Sequence, residues 1–73
     1  MTLELTTPAA ARALADYLEL CGCTVDFVSD RMLEVALPAP AQSGRAALIE
    51  MHAYLQVWRA MHPGHEVRIV EEA

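Results

Sequence analysis

The chain has 73 residues, 55% of them apolar, and carries ten acidic against five basic residues for a net charge of −5. A length of this order makes one domain that buries proportionally little of its surface, so a metal, a disulfide or a second subunit is expected to support it. The negative balance argues against a nucleic-acid backbone or an anionic membrane surface as partner, and no run approaches the ~18 apolar residues of a membrane span.

Leu3 and Leu5 alternate with Thr2, Glu4 and Thr6, the period of a half-buried strand, and Thr7-Pro8 follows as a helix N-cap with proline at the first helical position. From Ala9 to Cys21 the apolar residues Ala11, Leu14, Ala15, Leu18 and Cys21 recur at helical spacing, and Gly22 is placed to end the helix in a left-handed conformation. Cys23, Val25 and Phe27 then alternate with Thr24 and Asp26. After a turn at Ser29-Asp30 the alternation resumes with Leu33, Val35 and Leu37, which makes a hairpin. Pro38-Ala39-Pro40 breaks the strand, a longer helix is expected from about Gln42 to Met61, and Val67 and Ile69 form a last strand before an acidic tail.

The order β-α-β-β-α-β with tight connections and right-handed crossovers predicts an α+β, ferredoxin-like domain, two helices on one face of a four-stranded antiparallel sheet. Its expected core is Leu3, Leu5, Leu14, Leu18, Val25, Phe27, Leu33, Val35, Leu37, Leu48, Met51, Leu55, Trp58, Val67 and Ile69.

The second helix is apolar on two sides. Leu48, Met51, Leu55 and Trp58 form an ordinary core stripe, but Ala46, Ile49, Ala53, Val57 and Ala60 cluster opposite them, confining Arg45, His52, Gln56 and Arg59 to a narrow arc. One side faces the sheet; the other is expected to meet a second subunit, its alanines permitting close backbone approach, as the interface of a homodimer. Alanine is also a good helix former on an open surface, which leaves Ile49 and Val57 as the residues that need explaining.

Cys21, Cys23, His62 and His65 supply the donors of a tetrahedral zinc site, although C-x-C lacks the usual two-residue gap. The topology sets the ends of the two helices at opposite poles of the domain, where one ion cannot reach all four. Cys21 and Cys23 instead continue apolar faces on either side of Gly22, so two core thiols and no cofactor are expected. His62 sits at a helix end, where imidazolium interacts well with the dipole, and no Ser-His-Asp or Cys-His arrangement assembles around any histidine, so no catalytic residue is expected. Glu4, Asp26, Glu34 and Glu66 with Arg68 are expected on the outer sheet face, among Val28, Met32, Ala36 and Val70; without stacking aromatics that face is no RNA platform.

Met1-Thr2-Leu3-Glu4 shows no basic segment leading into an apolar run, and closely spaced thiols fit a reducing compartment, so a cytoplasmic protein is expected. All five basic residues are arginine, which with the abundant alanine reads as the codon bias of a GC-rich bacterial genome.

In element order and length the chain resembles several ferredoxin-like families. Thr6-Thr7-Pro8-Ala9 stands where heavy-metal-associated copper chaperones carry C-x-x-C, where acylphosphatases carry a phosphate-cradling arginine and glycines, and where ACT regulatory domains carry a glycine-bearing ligand loop. The resemblance implies the fold and not the function. The function expected is a non-enzymatic interaction or binding module acting as a homodimer, with a protein partner as a further possibility. The alternatives are an ACT-like sensor of a small metabolite and a thiol or metal protein using Cys21, Cys23, His62 and His65.

Overall fold

The computed structural model describes residues 1–38 and 44–70. Its elements are β1 (Thr2–Leu5), α1 (Pro8–Leu20), β2 (Thr24–Ser29), β3 (Met32–Ala36), α2 (Gly44–Met61) and β4 (Val67–Val70). The expected start of the second helix at Gln42, the Ala39-Pro40 break and the acidic Glu71-Glu72 lie outside the described residues.

Helix α1 begins where the chain chemistry places it. Thr7 is extended (φ −139°, ψ 155°), its hydroxyl accepts from the Ala10 amide at 3.1 Å, and Pro8 occupies the first turn, where its missing N–H costs nothing. The other end closes in a Schellman motif: Gly22 takes φ +93°, its amide donates to the Glu19 carbonyl at 3.0 Å, and the Cys23 amide donates to the Leu18 carbonyl at 2.9 Å. The apolar contact that accompanies this motif is made by Leu18 and Cys23, both buried. Helix end and strand start are therefore one hydrogen-bonded unit.

The four strands form one antiparallel sheet in the order β2-β3-β1-β4, an α+β architecture with the two helices. Leu3 stands opposite Leu33 on one side and Ile69 on the other, and Leu5 opposite Val67. These residues share one face of the sheet. The opposite face carries Thr2 and Glu4, with Glu34 beside Asp26 and Arg68 ion-paired to Glu4. Leu3, Leu5, Leu33 and Val35 join Leu14 and Leu18 of α1 and Met51, Leu55 and Trp58 of α2 in one buried cluster.

The expected core is accurate at its centre and too generous at its edges. Phe27 is 50% exposed, because β2 is an edge strand, and Val25, Leu37, Leu48, Val67 and Ile69 are only half-buried. Buried Ala10, Ala11 and Ala15 of α1 and Cys23 join the core. A bulge falls between Phe27 and Ser29, so Val28 leaves the pairing and is exposed.

Glu34 is held by the Met1 ammonium at 2.6 Å and by the Thr2 hydroxyl at 2.6 Å. The ammonium and then the hydroxyl bind its ionised form and pull its carboxyl below the ordinary carboxylate range. A carboxyl whose pKa is lowered by folding contributes stability above its unfolded pKa, and that contribution is lost as pH falls through the folded value. Glu34→Gln is expected to cost under about 1 kcal/mol at neutral pH, because the pair is solvent-screened, and the gap from the parent should vanish in urea titrations at acidic pH. Gly22→Ala forces a side chain into a left-handed backbone and sets its Cβ 3.4 Å from that of Pro38. It is expected to lower stability by about 1 kcal/mol in the same titrations.

Candidate functional site

The four potential metal donors fall into two separate groups. Cys21 and Cys23 lie at the end of α1, in the surroundings of Tyr17, Tyr54 and Glu50, whereas His62 and His65 follow α2 around Trp58. Among the described residues no three of histidine, cysteine, aspartate and glutamate stand close enough to share an ion.

Burial, then the neighbouring Cys21 and Glu50, pushes the Cys23 thiol above its ordinary range. A thiol in this state stays protonated near neutral pH and is a poor nucleophile or ligand. Tyr17 is raised as well, first by desolvation and then by its hydrogen bond with Cys21. The arrangement closes the seam between the end of α1 and the start of β2.

At the other end of the domain the Trp58 ring is fully buried and stacks on His62, with centroids 4.9 Å apart and planes 25° from parallel. His65 closes the group at 6.2 Å from Trp58. The His62 amide donates to the Trp58 carbonyl at 3.0 Å, and His62 Nδ1 lies 3.2 Å from the same oxygen, so the imidazole folds back over the helix end. Trp58 Nε1 is buried without a hydrogen-bond partner among the described residues. These histidines close a helix and are engaged in packing.

Two surfaces remain open. The first is the outer side of α2: Ala46, Ala53 and Ala60 are exposed, Ile49 is 64% exposed and Val57 52%, and Met61 continues the strip at 54%. No described element covers Ile49 or Val57.

The second is a cleft between α2 and β4, which the residue pattern alone did not reveal. Its apolar lining is Leu48, Leu55, Val67 and Ile69, with His52, Gln56 and Arg59 on the helix side and Arg68 on the strand. This part measures about 570 Å³ and adjoins a more open hollow of about 780 Å³ that shares Gln56 and Arg59 and reaches His65 and Glu66. The signal for it was the narrow polar arc of the second helix, which between two apolar stripes holds basic and neutral residues but no acid, in a chain rich in acids. Arg59 has no ion-pair partner among the described residues, unlike Arg31 and Arg68.

No family model, curated protein or solved structure matches the chain. No helix of the described residues is long and apolar enough to cross a membrane.

Because Cys23 is buried and its thiol held protonated, iodoacetamide is expected to leave it unlabelled in the native protein and to label it on denaturation. Mass spectrometry of the digested chain reads this directly, and native labelling of Cys23 at the rate of an exposed thiol would refute its core role.

Proposed function

We propose that the protein is a non-catalytic interaction module of ferredoxin-like arrangement that acts as a homodimer through the outer side of α2. Counted from the other edge of the sheet, the strand order is β4-β1-β3-β2, which supports the ferredoxin-like reading. Two thiols with no disulfide between them suit a reducing, cytoplasmic setting.

The observation that carries the dimer is the symmetry of the exposed stripe. Ala53 lies at its centre, Ile49 and Val57 stand four positions either side, and Ala46 and Ala60 seven. A two-fold interface requires that whatever residue i touches on its partner, the partner's copy of that residue touches i in return. Antiparallel pairing of two α2 helices about Ala53 meets this condition: Ala53 packs on its own copy, Ile49 against Val57, and Ala46 against Ala60. The seam runs about 21 Å at 1.5 Å per residue, and its three alanine layers favour close approach of the helix axes. Burying Ile49 and Val57 twice over supplies an apolar gain of about 1.5–3 kcal/mol for each side chain fully removed from water.

The unmodified chain is expected to run at twice the monomer mass in light scattering, independently of zinc or reductant. Ile49→Glu and Val57→Glu are expected to return it to the monomer with an unchanged circular dichroism spectrum, since neither residue belongs to the buried core. A monomeric parent, or a dimer indifferent to both charges, would remove the seam.

A further inference from the structure

We infer that the free edge of β4 pairs with its own copy in a second chain, antiparallel about a two-fold axis through Val67, so that the two four-stranded sheets become one. This goes beyond the proposed dimer and does not depend on it: the helix seam uses the stripe centred on Ala53, and the join uses β4.

The two edges of the sheet differ as templates. β2 is interrupted by the bulge between Phe27 and Ser29, whereas β4 pairs with β1 along its whole length, Val67–Val70, and holds neither bulge nor proline. A regular edge without such guards is open to another strand. Which of its groups are open follows from the ladder. Met1 and Val35 exchange hydrogen bonds through their main-chain nitrogens and carbonyls, at 3.0 and 2.7 Å, and the Leu5 amide donates to the Arg31 carbonyl at 2.9 Å. Leu3, between them, faces β3 in the same way, so Thr2 and Glu4 face β4, where they oppose Val70 and Arg68. These directions alternate along an antiparallel strand, which leaves the N–H and C=O groups of Val67 and Ile69 pointing out of the edge.

A two-fold axis perpendicular to the sheet passes through one residue and its own copy, and keeps both helix layers on one side. Through Arg68 it would set two guanidinium groups face to face. Through Ile69 it would set Arg68 against an apolar valine, the partner's Val70. Through Val67 it lets the two Val67 backbones exchange a pair of hydrogen bonds and sets Arg68 opposite the partner's Glu66, twice over. That pair falls between hydrogen-bonded positions, where opposing side chains stand closest. Glu66 is exposed and has no ion-pair partner among the described residues. The Arg68 guanidinium already takes Glu4 and has donors for a second carboxylate. On the core side Val67, only half-buried in its own chain, packs on its copy. Glu66 also lines the hollow that holds Arg59, so each chain brings Arg59 and Arg68 with Glu4 and Glu66 to the join. Two chains of net charge −5 thus meet where their charges cancel.

The join is short and is expected to form at higher protein concentration than the helix seam. It is tested in the Ile49→Glu chain, where no seam can contribute, so that failure of the join and failure of the seam are read separately. Sedimentation equilibrium is expected to show a monomer and a dimer in exchange. Amide hydrogen exchange followed by NMR is expected to slow at Val67 and Ile69 as concentration rises and to stay unchanged at Arg68 and Val70, whose amides already serve β1. In a mixture of isotope-labelled and unlabelled chains, an intermolecular NOE is expected between the α-protons of Arg68 and Glu66. Glu66→Arg and Arg68→Glu, their folds checked by circular dichroism, are each expected to weaken the association at least about tenfold. An equimolar mixture of the two is expected to restore it, because opposite charges then face each other at both positions. Glu66→Arg, at an exposed residue outside the strand, tests the pairing by itself should Arg68→Glu disturb the neighbouring Glu4. Slowed exchange at the β2 edge instead, an NOE from Arg68 to Val70, a mixture of folded variants no tighter than its parts, or no self-association at NMR concentrations would overturn the assignment.

Discussion

The contact on which the structure depends is that between Leu3 and Leu33, paired side by side on the two central strands and both fully withdrawn from water. Around it β1 and β3 supply Leu5 and Val35, α1 supplies Leu14 and Leu18, and α2 supplies Met51, Leu55 and Trp58. Each large side chain removed from water contributes about 1.5–3 kcal/mol against the cost of ordering the chain. Two helices suffice to cover two strands completely. They do not suffice for four, and the shortfall appears at the sheet's edges, where Phe27 on β2 and Val67 and Ile69 on β4 remain partly wet. The surfaces available for recognition arise from this shortage of cover.

Much of the fold was legible in the residues because its signals are local. Thr7-Pro8 and Gly22 bracket α1 through backbone chemistry that acts within a few residues, and the alternation of β1 and β3 marks their inward sides correctly. Depth was not legible. The period of two assigns Phe27 and Leu33 alike to the inner face, but only the sheet order makes one an edge residue and the other central. Alanines of α1 were underrated for the opposite reason, since a small side chain is buried whenever its helix lies close against neighbouring strands, as α1 does.

The candidate surfaces divide in the same way. The apolar stripe from Ala46 to Ala60 can be read from helical spacing alone, and the structure places its residues in the open. The cleft needed three dimensions, because its walls come from α2 and from a strand that begins only after the helix has ended. The Cys and His residues are conspicuous as chemistry; the structure sets Cys23 in the helix-ending motif it completes with Leu18, and His62 against the indole on which it stacks.

The two helices are tied into the domain in different ways. α1 is tied to β2 by the Gly22 turn and lies close over three strands, whereas α2 approaches α1 more closely than it approaches the sheet, and β4 is bonded to β1 alone. Helix α2 is joined to the rest through the buried side chains of Met51, Leu55 and Trp58, and β4 through its pairing with β1. The exposed stripe and the cleft both belong to α2 and β4. A partner seated on either would bind only while α2 keeps Met51, Leu55 and Trp58 in the core, so that its binding free energy would add to the stability of the whole domain.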